Sequence, residues 1–365
     1  MFKPALLLPL LILGASVGLY IPRPASPRQL EDRVTSDHIR VRISVEREWL
    51  GRDAVNDLER CWQFMERATN SMPRRILIIV SWDSADTTTD YDNGTIRIGM
   101  DQPATASDAR SVLLHCGGRE MARLGLLGLS MGRAAREESS FLLEGMSELL
   151  VHEFEASNRN LGGVWVMAHM LGRMGQLGFA QQSRWSDFAG TQHSLRTAAP
   201  GATFLITCRE LRGRDSLFKF FDSLKDNKLP EALSAAFKTT PAVLESTWLK
   251  RVRDYDVSQD VTATTEEDAP YLEKATAAGS AGKPLVVRLY LKDRASNLLP
   301  EGVFVQDTKS GQVVQARAGS DGVERFFAVE VPIEAGRQAG SYELAVTAVD
   351  EAGNVRNWKT PYSVQ

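Results

Sequence analysis

Residues 39–46 alternate apolar and polar side chains: Ile39, Val41, Ile43 and Val45 against Arg40, Arg42, Ser44 and Glu46. Period two predicts a strand with one buried face. From 52 to 68, Val55, Leu58, Cys61, Trp62, Phe64 and Met65 recur at helical spacing, and Asp53 near the start suits the helix dipole. Arg75–Trp82 is an apolar, β-rich run and predicts a strand covered on both faces. Tyr91-Asp92-Asn93-Gly94-Thr95 reads as a hairpin turn, because Asn-Gly accepts positive φ at little cost, and a strand follows over Ile96–Met100. Ser107 or Asp108 caps a helix that runs through Val112-Leu113-Leu114-His115.

The middle of the chain keeps helical period. Helices are predicted over Phe141–Phe154, 163–176, Thr203–Leu211 and Asp215–Lys225, the last two split at Gly213. Pro230–Phe237 is a short helix, and Thr240-Pro241 marks the cap and first turn of another that runs to about Tyr255. Residues 256–269 are polar, acidic and aperiodic, and read as a linker. The period then switches to strands. Leu285–Leu291 is the first clear one. Val303–Gln306 and Gln312–Ala318 pair across a turn, Arg325–Ile333 and Ser341–Val349 follow, and the last strand carries Trp358. Short strands at this spacing over about 100 residues suggest an immunoglobulin-like sandwich. Residues 270–365 resemble the Ig-like modules of bacterial surface and secreted proteins, mainly in this pattern and in the turn Asp350-Glu-Ala-Gly-Asn354.

Composition adds bounds rather than detail. The 365 residues are 43% hydrophobic and 24% charged, enough for a large core and consistent with two domains. A net charge of −3 gives no basic excess for nucleic acid. Residues 1–27 read as an export segment: Lys3 is the positive n-region, Ala5–Ile21 is almost wholly apolar, and Ser16-Val17-Gly18 offers a small-x-small cleavage site. A cleaved signal is the first reading and an uncleaved single-pass anchor the second. Either places the body of the protein outside the cytoplasm. With only three cysteines, Cys61, Cys116 and Cys208, at least one thiol is free or paired between molecules. A Cys61–Cys208 disulfide and three buried thiols both remain open.

The candidate chemistry lies at residues 115–119, His-Cys-Gly-Gly-Arg. The apolar residues before His115 are those expected before H-E-x-x-H, which on a helix sets two imidazoles one turn apart to bind zinc, with the Glu as general base. The base position holds Cys116, and the second ligand position holds Arg119, a cation with no lone pair to give a metal. A shifted register supplies Glu120 and loses both histidines. Downstream, Leu143-Glu144-Gly145-Met146-Ser147-Glu148 is similar to a W-x-x-E-G-x-A-E signature, with Phe141 at the aromatic position. On these motifs and the element order, residues 36–255 resemble the peptidase MA-like (gluzincin) metallopeptidase domains. The resemblance implies an α+β zincin-like fold, with a small mixed sheet and a helical lower half, and a zinc site whose remnant ligands are His115 and Glu144.

Without the metal, Glu144 would be a buried carboxylate needing a counter-charge, which Arg119 is placed to supply. An Arg119–Glu144 ion pair beside His115 is therefore expected. Glu148 and His152, spaced by four on the same helix as Glu144, form an alternative metal set with His115, although a solvated acidic stripe explains the same spacing. Cys116 and His115 point about 100° apart on a helix and do not form a nucleophile pair. His38, His169 and His193 carry no pattern. Asp350 and Asn354 are accounted for by turn chemistry as well as by Ca²⁺. The expectation is an exported pseudopeptidase with a binding or structural role in the cell envelope, taking a peptide or protein in its cleft, with no cofactor. The alternative is an active zinc metallopeptidase with an atypical site.

Overall fold

The computed structural model describes residues 30–82, 87–100, 106–155, 161–182, 195–257, 270–278, 283–293, 298–321, 324–334, 337–350 and 353–364. The export segment and residues 258–269 of the linker lie outside them.

The first sheet contains β1 (Leu30–Thr35), β2 (Ile39–Ser44), β3 (Ile76–Ser81), β4 (Thr88–Asp90) and β5 (Thr95–Gly99), in the order β1-β2-β3-β5-β4. β2, β3 and β5 are parallel and the two edge strands antiparallel. The sheet begins six residues before the domain boundary expected at 36. The crossover between β2 and β3 is α1 (Glu48–Thr69), which buries Leu50, Leu58, Cys61 and Met65 in the shared core. It ends at Asn70, whose φ of 51° places it in the left-handed region that commonly closes helices.

Then come α2 (Ala106–Leu129) and α3 (Glu137–Glu155). α2 is continuous through Gly117-Gly118, whereas the two glycines suggest a loosened helix by propensity alone. Packing overrides propensity here. A Cβ on Gly117 would sit 3.0 Å from Leu58 Cδ2, and one on Gly118 3.3 Å from Cys61 Sγ, so these glycines let α1 lie close against α2. The helical part continues with α4 (Leu161–Arg173), α5 (Phe179–Gln182), α6 (Leu195–Arg212), α7 (Asp215–Ser223), α8 (Leu229–Phe237) and α9 (Pro241–Arg253). Thr240 caps α9 by accepting from the Val243 N–H, as expected. Phe179, Phe204 and Trp248 interlock at its centre, and Trp248 Nε1 donates to Thr203 Oγ1 at 2.9 Å.

The C-terminal part is β6 (Tyr271–Ala278), β7 (Leu285–Lys292), β8 (Leu298–Asp307), β9 (Val313–Gln315), β10 (Arg317–Ser320), β11 (Arg325–Val331), β12 (Gly340–Asp350) and β13 (Val355–Val364). They form two four-stranded antiparallel sheets, β10-β11-β7-β6 and β13-β12-β8-β9. Val287, Leu289 and Val331 from one sheet share a core with Val303, Val305, Leu344 and Val346 from the other. Within this layer Arg337 donates to Asp307 at 2.6 Å and to the Tyr362 hydroxyl, and Asp307 also accepts from Ser310 Oγ at 2.6 Å. The outer face of the second sheet meets the helices. Phe304, Val349 and Val355 join the core of the helical part, Arg173 donates to the Gly311 carbonyl at 2.6 Å, and a Cβ on Gly163 would lie 2.5 Å from Gly353 Cα.

Candidate functional site

α2 and α3 pack side by side and bring most of the candidate residues into one buried polar layer. Arg119 is the most informative of them. A guanidinium only 1% exposed must be held by acceptors, because a buried charge without partners is strongly unfavourable. Its Nη2 lies 3.0 Å from Glu144 Oε2 and 3.5 Å from Thr197 Oγ1, and its Nη1 lies 3.8 Å from Glu148 Oε2. The ion pair expected from the motif is thus present. One turn further along α2, Arg123 takes the other oxygen, with Nη1 2.9 Å from Glu144 Oε1 and 3.5 Å from Glu120 Oε1. Both oxygens of Glu144 therefore face guanidinium nitrogens.

Glu120 points into the same layer and accepts from Thr89 Oγ1 on β4. Its burial is set by the helix face it shares with Arg123 and not by the shifted zinc register. Tyr91 closes the layer from the hairpin: the Arg123 guanidinium lies 6.0 Å from its ring centroid. Burial pushes the Tyr91 hydroxyl up to about 12; the Arg123 charge opposes the rise, and Glu120 and Glu144 add to it. For Arg123, desolvation would lower the pKa, but Glu120 and Glu144 outweigh it and raise it, so the guanidinium stays charged.

His115 sits between two carboxylates, with Nε2 3.7 Å from Glu148 Oε2 and Nδ1 3.7 Å from Glu155 Oε2. His152, one turn beyond Glu148 in α3, is half-buried near the end of that helix. Cys116 is half-buried. Cys61, Cys116 and Cys208 are free thiols, which removes the Cys61–Cys208 disulfide, and burial pushes the Cys61 and Cys208 thiols far up. His169 Nδ1 donates to the Val252 carbonyl at 2.9 Å, and desolvation lowers its pKa. Asn354 donates to Asp350 through both its backbone N–H, at 2.8 Å, and its side chain, at 2.7 Å, so these residues form a self-satisfied turn. His193 lies outside the described residues.

These residues do not fit a zinc ion. Zinc takes lone pairs from N, O or S at about 2 Å. Arg119 offers none, Glu144 is engaged at both oxygens, and the two ring nitrogens of His115 face different carboxylates. Among the described residues no three His, Cys, Asp or Glu side chains are placed to hold a metal ion. Arg123, Tyr91, Thr89, Thr197 and Glu155 escape a motif-based reading. For Arg123 a signal existed, since position i+4 from Arg119 falls on the same helix face.

No protein-family model and no curated protein matches the chain. Among solved structures, the chain is similar to an aminopeptidase N family protein from Idiomarina loihiensis, with 9% identity and a TM-score of 0.45 over 92% of this chain and 67% of that one. It is also similar to CopC from Methylosinus trichosporium OB3b, with 21% identity and a TM-score of 0.19 over 26% of this chain and 93% of that one. A third is the N-terminal part of the bacterial S-layer protein SbsC, with 10% identity and a TM-score of 0.18 over 86% of this chain and 79% of that one.

Proposed function

We propose that residues 36–255 are a gluzincin-like domain that does not hydrolyse peptides, followed by an Ig-like module over 270–365, and that the chain works outside the cytoplasm as a binding or structural protein of the cell envelope. The observation that carries this reading is the pair of guanidiniums on Glu144, Arg119 at 3.0 Å and Arg123 at 2.9 Å. Metallopeptidase chemistry requires a Lewis acid on the scissile carbonyl and a base on the attacking water. The residue at the base position is Cys116, and the charge at the metal corner is already supplied by arginine. What such a domain retains is a folded scaffold, and the occupant we assign to it is a peptide or protein segment. Any membrane attachment is assigned to residues 1–27; no helix among the described residues is long and apolar enough to cross a membrane.

The purified chain, incubated with Zn²⁺ and dialysed, is expected to retain no stoichiometric zinc by mass spectrometry and to leave a peptide library uncut with or without chelator. Chelator-sensitive cleavage that disappears in Glu144→Ala would instead establish an active zinc enzyme with an atypical site.

A further inference from the structure

A second polar site, sharing no residue with the Arg119–Glu144 layer, lies at the N-terminal ends of parallel strands β2 and β3. A cavity of 370 Å³ opens there, lined by Ser36, Asp37, His38, Arg40, Arg75 and Asn93. His38 is fixed in three ways. Its ring stacks on Trp62 with centroids 3.6 Å apart and planes 9° apart, its Nδ1 lies 2.5 Å from Glu59 Oε1, and its backbone N–H donates to Glu59 Oε2 at 3.1 Å. Ser36 Oγ donates to the same Oε2 at 2.6 Å. Burial pushes the Glu59 carboxyl up, but the hydrogen bonds from Ser36 and His38 outweigh it and hold the pKa below its ordinary value. An ionised Glu59 requires the proton on Nδ1, which leaves Nε2 as the ring atom free of that dyad. The side chain remains 29% exposed. The exposed Arg40 and Arg75 line the same cavity.

We infer that this cavity binds a small ligand through a phosphate group, held by Arg40, Arg75 and His38 Nε2. Two guanidinium forks beside a ring edge suit a tetrahedral dianion. The volume exceeds that of phosphate alone and falls in the range of small-molecule sites, leaving room for an organic portion. The charged groups around the cavity are Glu59 on α1, Asp37, Arg40 and, just before β3, Arg75; Asp37 and Glu59 oppose the anion.

Calorimetric titration of the full chain with inorganic phosphate and phenyl phosphate, at low salt and about pH 8, where both ligands are dianions, tests this. Saturable 1:1 binding is expected. Acetate is expected to bind more weakly than phosphate. Arg75→Gln, at an exposed position, is expected to weaken phosphate binding roughly tenfold, the effect of one charge-assisted hydrogen bond, without moving the thermal midpoint. His38→Gln is expected to weaken phosphate binding as well. Absence of saturable phosphate binding by the wild-type chain, affinity unchanged in Arg75→Gln, or acetate binding as well as phosphate would each overturn the assignment. In that case Glu59 only ties the β1–β2 turn to α1.

Discussion

Arg119 and Glu144 illustrate how a buried charge is tolerated only while its partner stays. Removing one member of such a pair costs about 3–5 kcal/mol because the other is left stranded, whereas replacing both with apolar residues of similar volume is often neutral. Arg123 still holds the other Glu144 oxygen, so Arg119→Met is expected to lower the free energy of unfolding in urea by less than that, about 1–3 kcal/mol. Arg119→Met/Glu144→Leu should lose less than the sum of the single changes, although Arg123 then lacks one of its acceptors. Asp307 makes the same point with a sign in pH. Burial raises its pKa, but hydrogen bonds from Arg337, Ser310 and Tyr362 outweigh it and hold it well below the usual carboxylate range. A group depressed in the folded state stabilises above its unfolded pKa, about 3.9, and that contribution is lost progressively as pH falls from there toward the lower folded-state pKa. Stability of the wild-type chain should thus decline in acid more steeply than that of Asp307→Asn. At neutral pH the variant should be the less stable of the two, since Arg337 is left buried without its counter-ion. Chemical denaturation from about pH 7 to pH 3 separates the two behaviours.

At the scale of elements, glycine decides how closely helices approach. A Cβ on Gly145 in α3 would lie 2.1 Å from the Ala202 backbone nitrogen in α6, and one on Gly201 1.9 Å from the Phe141 carbonyl oxygen. Backbone meets backbone there, so no side chain can swing aside. Alanine gains up to about 1 kcal/mol over glycine from helix propensity, but overpacking of this kind costs about 1–3 kcal/mol or more, so Gly145→Ala is expected to destabilise. Gly172→Ala, whose Cβ would meet its nearest atom at an ordinary 3.6 Å, is expected to stabilise slightly; thermal melts of both variants check the opposite signs. These contacts also explain what the sequence withheld. The apolar periods made α1, α3 and α9 legible, and Asn93-Gly94 announced its hairpin. The first two turns of α6 were not, because Pro200 reads as a break, yet it lies inside the helix next to the Gly145–Gly201 crossing. β6 was hidden because a register shift between Leu272 and Lys274 breaks its alternation. At the site, the need of a buried carboxylate for a cation made the Arg119–Glu144 pair readable. The hairpin's contribution through Thr89 and Tyr91 depends on tertiary placement that no local pattern carries.

For the molecule as a whole, the two parts are not independent beads. Phe304, Val349 and Val355 belong to the strands of the sandwich by connectivity and to the helical core by packing. Phe304→Ala is expected to cost about 3–5 kcal/mol, as for a large buried aromatic. It should lower the unfolding midpoint reported by far-UV helical signal as well as by hydrogen exchange of the β12 and β13 amides; a shift in one probe alone would show that the parts melt separately. The twofold hold on Glu144 bears on reversibility. Histidine at 119 with glutamate at 116 would complete the letters of a zinc-binding sequence and still leave Arg123 2.9 Å from Glu144 Oε1. A third change, at 123, is needed before that carboxylate is released. On the reading proposed above, no single substitution turns this layer into a zinc site.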